Sequence, residues 1–231
     1  MRIITAFAGS VSAAVLVLAL AAPAGAEPAP DTAGDTVSFG LFAAEQERPE
    51  SEFDIEELTE FGLEDEQLTQ LAEGVVPEPE AETMVAQDDV LTTWDDVDGD
   101  RVVWREGHYN PATGQGSGAL KIDQKHNLSM EAVRSVTRWP YTEQSLPDDT
   151  KTQEMPPNGT TYRYRAEVWE VECSGWWFWR ECEIVDERIV RALVDFRAVP
   201  DSTETKGAFN AYCEQNTGDR CPDWVRNALN I

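Results

Sequence analysis

The sequence predicts an α+β fold in which one or two helices pack on an antiparallel sheet. Residues 119–138 carry apolar side chains at helical spacing, whereas apolar and polar residues alternate with period two from residue 160 onward. Helices that precede a meander of strands are typical of α+β domains. Four cysteines near the end of the 231-residue chain are expected to staple the sheet with disulfides.

The N-terminus has the layout of a secretory signal peptide. Met1-Arg2 is positively charged, residues 11–22 are apolar, and Ala24-Gly-Ala26 is a small-x-small cleavage site. The apolar run is too short to span a membrane. We therefore expect a signal peptide over residues 1–26, a secreted extracellular protein, and no membrane span in the mature chain.

Charge is distributed unevenly along the chain. Of 18 basic residues, 16 lie in residues 101–231, together with 20 of the 44 acidic residues, so that region has a formal charge of only −4 against −26 for the whole chain. This asymmetry predicts an acidic, largely disordered segment over residues 27–93 before an α+β domain over residues 94–231. Two short helical patterns interrupt the acidic segment, at residues 51–62 and 68–74.

Elements within the domain follow from caps and periodicity. Ser129 is a predicted N-cap, and the helix that it starts should end at Trp139-Pro140, because the residue before proline disfavours helical backbone. The remaining predicted elements are a strand at 101–105, a helix at 119–126, strands at 160–171, 184–199 and 206–212, and a short helix at 222–229.

The four cysteines allow three pairings, and we expect the local pairs Cys173–Cys182 and Cys213–Cys221. Their spacings do not resemble a zinc knuckle, so we expect neither a metal nor a cofactor. The first pair would clamp a hairpin whose tip carries Trp176, Trp177 and Trp179. Two interpretations of these tryptophans stay open: they fold back onto the sheet as core, which we favour, or they form an exposed recognition patch for a protein or a glycan.

A cationic stretch follows a glycine-rich turn at residues 114–118. Ala119, Ile122 and His126 share one face of the predicted helix, and Lys121 and Lys125 lie one turn apart on a neighbouring face. A histidine beside two lysines in an acidic chain favours an anionic ligand.

The glycine turn, the Lys-Ile-x-x-Lys-His motif and the late strand Lys206-Gly-Ala-Phe-Asn-Ala-Tyr-Cys213 together resemble secreted toxin domains of the barnase–EndoU–colicin–RelE ribonuclease superfamily. The resemblance covers roughly residues 100–215. It implies that His126 transfers a proton, that Arg163 or Arg165 stabilises charge on the phosphate, and that Asn210 and Tyr212 form a polar pair. This chain has asparagine at position 210, whereas members of the family more often have a hydroxyl residue there.

The chemistry that the resemblance implies is RNA cleavage by metal-independent transesterification, with Lys121, Lys125 and Asn210 binding the substrate. Each residue also has a structural interpretation. His126 could be a core histidine at a helix end, and the two arginines could pair with Glu167 or Asp195 on a solvated face.

Two function classes follow. The first is a secreted ribonuclease-like toxin whose partners are RNA and a protein inhibitor. The alternative is a non-catalytic extracellular binding module that contacts a cell-surface partner through the tryptophan hairpin.

Overall fold

The computed structural model describes residues 36–43, 48–49, 52–77, 90–142, 150–154, 159–200, 202–214 and 220–231. The predicted signal peptide lies outside these residues, as do residues 27–35, 44–47 and 78–89 of the acidic segment. Within the described ranges, no helix has the length and hydropathy needed to cross a bilayer.

The fold is α+β and is built on a curled, mostly antiparallel sheet of eight strands. The strands are β1 (Val37–Phe42), β2 (Phe53–Asp54), β3 (Val90–Asp95), β4 (Arg101–Arg105), β7 (Lys151–Gln153), β8 (Thr161–Ser174), β9 (Glu181–Ala198) and β10 (Thr205–Cys213), with a separate hairpin of β5 (His108–Asn110) and β6 (Gln115–Ser117). The order in the sheet is β1–β8–β9–β10–β4–β3, while β2 also pairs with β9 and β7 also pairs with β8. The pairing of β10 with β4 is parallel.

The predicted helices of the domain are present. Among the described residues the α-helices are α1 (Asp65–Ala72), α2 (Ala119–His126), α3 (Met130–Arg138) and α4 (Asp223–Arg226), and a 3-10 helix spans Ile55–Phe61. In α3 the Ser129 hydroxyl accepts a hydrogen bond from the backbone N–H of Ala132 at 3.1 Å, as its predicted N-cap role requires. The helix ends at Trp139, directly before Pro140.

Two apolar cores lie on opposite faces of the long strand β8. The first core contains Tyr164, Ala166 and Val168 of β8 together with side chains of α2 and α3. The alternating residues Trp169, Val171 and Cys173 belong to a second core. Because side chains in a strand point alternately to the two faces, each end of β8 requires its own apolar cover.

The second core is closed by the acidic segment, so the predicted disorder does not hold for residues 36–43 and 52–77. Strand β1 pairs with β8 over its whole length, from Val37 opposite Cys173 to Phe42 opposite Val168. The 3-10 helix and α1 bury the apolar residues of the two short patterns, including Ile55, Leu58, Leu68 and Leu71. The folded unit therefore begins well before the predicted boundary near Thr93.

The sequence pattern did not predict strand β1, because Gly40 interrupts its short apolar run. Gly40 lies where a Cβ atom would stand 1.9 Å from the carbonyl oxygen of Trp224. Its own carbonyl accepts a hydrogen bond from the backbone N–H of Leu229 at 3.0 Å. Glycine is thus required for the close approach of the C-terminal residues, a requirement that appears only in the tertiary structure.

Both predicted disulfides are confirmed. Cys173–Cys182 and Cys213–Cys221 have sulfur separations of 1.99 and 2.06 Å. The first joins directly opposed residues of β8 and β9. The second ties the end of β10 to the segment before α4.

Candidate functional site

Helix α2 is held against the edge of β10 by the glycine-rich turn. The backbone N–H of Gly118 donates to the carbonyl oxygen of Phe209 at 3.0 Å. Gly118 has φ +75°, and a Cβ atom there would lie 2.8 Å from the carbonyl oxygen of Arg105. The turn therefore needs glycine both for its backbone conformation and for close approach to β4.

His126 ends α2 and is 1% exposed. Its carbonyl oxygen accepts the backbone N–H of Cys221 at 2.9 Å, which joins the helix end to the Cys213–Cys221 loop. The centroid of its ring lies 5.7 Å from that of Tyr212 on β10, with 39° between the planes. The helix thus brings the predicted catalytic histidine against the predicted catalytic tyrosine.

A charged group continues from Tyr212 across the sheet. Arg191 Nη1 donates to the Tyr212 hydroxyl at 2.9 Å, and Arg191 Nε donates to Glu214 Oε1 at 2.8 Å. Arg165 donates to both Glu214 oxygens, each at 2.9 Å. Two guanidinium groups therefore share one carboxylate, and these three side chains together carry one net positive charge.

The protonated state of Arg191 is strongly favoured. Partial burial of its guanidinium opposes the charge, but the Glu214 carboxylate and the hydrogen bond to Tyr212 outweigh burial and raise the pKa of Arg191. The guanidinium beside Tyr212 therefore keeps its positive charge at neutral pH.

The other predicted site residues have surroundings of their own. Arg163 is two residues from Arg165 on the same strand face, and its guanidinium lies 3.7 Å from the Glu154 carboxylate. Asn210 is alternate to Tyr212 on β10, and its Oδ1 is buried without a hydrogen-bond donor among the described residues. Lys121 and Lys125 remain partly exposed on α2.

Arg191 and Glu214 were missed in the sequence. The period-two pattern places Arg191 on the face opposite Val190, but a pattern does not give the register between strands. In the structure Arg191 lies opposite both Arg165 and Tyr212. The expected partners Glu167 and Asp195 are engaged elsewhere: Glu167 accepts the indole N–H of Trp169, and Asp195 pairs with Arg197.

The tryptophan hairpin is exposed, which contradicts the favoured prediction that it folds back as core. Trp176 and Trp179 are 80% and 85% exposed, and Trp177 is 52% exposed. Gly175 (φ +117°) and Trp177 (φ +56°) turn the chain so tightly that the indoles point away from the sheet. A Cβ atom at position 175 would lie 2.9 Å from the carbonyl oxygen of Trp179.

The base of this hairpin is firmly held. The Cys173–Cys182 disulfide crosses it, and Arg180, which is 2% exposed, donates to the carbonyl oxygens of Ala72 and Cys173. The carbonyl oxygen of Arg180 accepts the backbone N–H of Ile55 at 3.4 Å. The tip is therefore an exposed aromatic group on a rigid support.

A second ionic group surrounds Lys151. Its Nζ lies 2.9 Å from Asp96, 2.5 Å from Asp98 and 3.3 Å from Asp100. Asp96 also accepts hydrogen bonds from the Tyr164 hydroxyl and from the backbone N–H groups of Asp98 and Asp100. The lysine occupies the centre of the three carboxylates, and no metal-type cluster of His, Cys, Asp or Glu occurs in the part of the chain that is described.

A cleft of about 600 Å³ lies between α1 and the C-terminal residues. Glu60, Glu64 and Glu66 line it together with Trp139 and Leu229, and none of its lining residues is basic. The cleft thus places carboxylates beside the half-exposed indole of Trp139.

Comparison with known proteins gives no match: no protein family, no curated protein and no solved structure is significantly similar to this chain. The resemblance to the ribonuclease superfamily therefore depends on the residues of this chain alone.

Proposed function

We propose that this protein is a secreted extracellular binding module that contacts its partner through the tryptophan hairpin. The observation that carries the proposal is the exposure of Trp176 and Trp179 at a tip clamped by a disulfide. Large exposed apolar patches on soluble proteins mark interaction sites, and tryptophan is enriched among the residues that contribute most to binding. A rigid tip also loses little conformational entropy when it binds.

The fold supports the proposal because the tryptophan hairpin contributes little to the stability of the folded protein. An indole packed in a core contributes stability, whereas these three side chains are largely in contact with solvent. Trp177 also occupies a left-handed backbone conformation that non-glycine residues rarely adopt. Backbone strain of this kind accumulates at functional sites.

The test uses the mature chain and three probes: a nona-arginine peptide, soluble peptidoglycan fragments and phosphatidylcholine vesicles. We expect saturable binding of at least one probe, with a blue shift of tryptophan emission, and at least a tenfold loss of affinity in Trp176→Ala/Trp179→Ala. Trp139→Ala, which removes a half-exposed indole elsewhere, is the matched control. Equal binding by the hairpin variant and the control, or no binding to any probe, would contradict the proposal.

We also propose, as a second candidate, a ribonuclease-like centre formed by His126, Tyr212 and Arg191. Its support is the 5.7 Å ring contact between His126 and Tyr212 and the fixed positive charge of Arg191 beside the tyrosine hydroxyl. An imidazole can act as the general acid or base of phosphoryl transesterification, and a guanidinium can stabilise the charge that develops on the phosphate. The buried position of His126 makes this centre the weaker candidate, since a substrate phosphate would have to reach the ring.

This candidate is tested by incubating the mature chain with a fluorescent RNA oligonucleotide in EDTA. We expect cleavage to 2′,3′-cyclic phosphate ends and a loss of about 10²–10⁴-fold in rate for His126→Gln and Tyr212→Phe. His108→Gln changes an exposed histidine on β5 and is the control. Tyr212→Phe keeps the ring packing, so its thermal midpoint should stay close to that of the wild type. Cleavage that is unchanged in both variants, or absent from the wild type, would refute the candidate.

A further inference from the structure

The surface beside the tryptophan tip is a ladder of uncompensated carboxylates. Glu172 on β8 lies directly opposite Glu183 on β9, and Glu181 lies opposite both Ser174 and Asp54. Directly opposed residues share a face of the sheet. The neighbouring residues Cys173, Cys182 and Phe53 point to the opposite face, where they are buried. Glu172, Glu181 and Glu183 therefore point outward together on the ribbon that ends in the tryptophans, and the fourth carboxylate, Asp54, lies beside them at the start of the 3-10 helix, where it is directed to the backbone N–H of Glu57.

No cation neutralises this ladder among the described residues. None of the four carboxylates forms an ion pair with a lysine or an arginine there, whereas the acidic residues further along the hairpin do: Asp186 pairs with Arg188 and Glu187 with Arg48. Arg180 is the only basic residue between positions 171 and 188, and it is buried with its guanidinium directed to backbone carbonyls. Among the described side chains of the tip, the exposed charged groups are therefore all carboxylates, and they lie beside the exposed indoles.

Such an arrangement is costly in the free protein. Like charges directly opposite each other in an antiparallel pair are destabilising, and Glu172 and Glu183 are such a pair. A cation bound between them would relieve the repulsion. Indole faces attract cations as well, arginine in particular, so the two features of the tip favour the same kind of ligand.

We infer that the tryptophan hairpin docks on a basic segment of a partner protein, whose arginine or lysine side chains meet the carboxylate ladder and the indoles together. This inference rests on the proposed binding function and names its partner class. A formal charge of −26 repels nucleic acids, anionic lipids and anionic glycans, so a basic protein surface is the macromolecule that the charge favours. Charge complementarity of this kind also accelerates association at low salt.

The inference is tested with a fluorescein-labelled nona-arginine peptide and two pairs of substitutions. Each pair is made in one double variant and removes two negative charges. Glu172→Gln/Glu183→Gln removes the opposed pair, and Glu60→Gln/Glu66→Gln removes two exposed carboxylates at the cleft beside α1. We expect the first pair to weaken peptide binding about three- to tenfold and the second to change it less than twofold. Binding by the wild type should weaken further between about 50 and 500 mM NaCl.

Folding is monitored in the same variants. Because Glu172→Gln/Glu183→Gln relieves a repulsion, its thermal midpoint should equal or exceed that of the wild type, so that weaker binding cannot be attributed to unfolding. Equal losses in the two pairs would show non-specific attraction to an acidic protein and would overturn the inference. A larger loss in Glu60→Gln/Glu66→Gln would place peptide binding in the cleft and overturn it too.

The failure of this inference is distinguishable from failure of the proposed function. Trp176→Ala/Trp179→Ala is assayed on the peptide, on phosphatidylcholine vesicles and on peptidoglycan fragments. Tryptophan-dependent binding to vesicles or peptidoglycan without any to the peptide would remove the basic partner and leave the binding module in place. Binding that is independent of the tryptophans for all three probes would remove both.

Discussion

At the residue scale, the carboxylate of Asp96 is a charged group that the fold both buries and surrounds with hydrogen-bond donors. Its side chain is fully buried, and it accepts hydrogen bonds from Lys151, Tyr164 and two backbone N–H groups. Asp98 and Asp100, by contrast, contact Lys151 with side chains that are 62% and 60% exposed. Three carboxylates that look equivalent in the sequence therefore differ sharply in their structural roles.

Replacing Asp96 by alanine should destabilise the protein by about 3–5 kcal/mol, because the change leaves the buried Tyr164 hydroxyl without its acceptor and removes the one fully buried carboxylate that pairs with Lys151. Asp98→Ala is the control and should cost less than about 1 kcal/mol, since its carboxylate is mostly in water. Urea unfolding of the two variants measures the difference. Similar losses in both would contradict the central role of Asp96.

The pH dependence of stability should also report on Asp96. Burial favours its neutral form, but the hydrogen bonds from Tyr164, Lys151 and the backbone outweigh burial and lower the pKa of Asp96. A carboxyl group whose pKa is lower in the folded state contributes stability above its unfolded pKa and loses it as pH falls. The same contacts raise the pKa of Lys151, so its ammonium group stays charged as the pH falls through the acidic range.

Between about pH 5 and pH 2, the wild type should therefore lose more stability than Asp96→Asn, which has no carboxyl group to protonate at this position. Chemical unfolding at a series of pH values gives the two slopes. Parallel profiles for wild type and variant would show that other carboxyl groups dominate the acid response.

At the scale of elements, the acidic segment is a structural part of the sheet. Phe61 stacks edge-to-face on Trp169 with 5.6 Å between ring centroids, and Leu58 is fully buried in the same core. Sequence patterns located the two short helical stretches but not the surface that they cover. Helices this short gain stability from packing rather than from propensity. They are stable here because they cover the apolar half of β8 that contains Trp169 and Val171.

A fragment of residues 94–231 should accordingly fail to fold cooperatively, because it exposes Trp169 and Val171, each of which contributes roughly 1.5–3 kcal/mol when buried. We expect binding of a hydrophobic dye and a broad thermal transition. In the intact chain, Leu58→Ala should cost about 2–5 kcal/mol through the same core. A fragment with a sharp transition near that of the intact protein would contradict this account.

At the scale of the whole molecule, the formal charge of −26 sets a background of repulsion that the few ion pairs offset only locally. Stability should therefore increase as salt screens this repulsion. We expect the thermal midpoint to rise between about 20 and 300 mM NaCl. A midpoint that falls with salt would mean that local pairs, such as Lys151 with its three aspartates, outweigh the repulsion.

The α+β class, both disulfides, the cap and end of α3, and the alternation of β8 to β10 were predictable from the sequence, because each depends on residues close together in the chain. The sequence did not reveal which face of β8 needs a cover, that β1 supplies it, or that Arg191 and Glu214 join Tyr212. These features depend on strand register and on packing between distant segments, which no local pattern encodes. The exposure of the tryptophans depends instead on the backbone conformation of the turn at Gly175 and Trp177, which residue types alone do not fix.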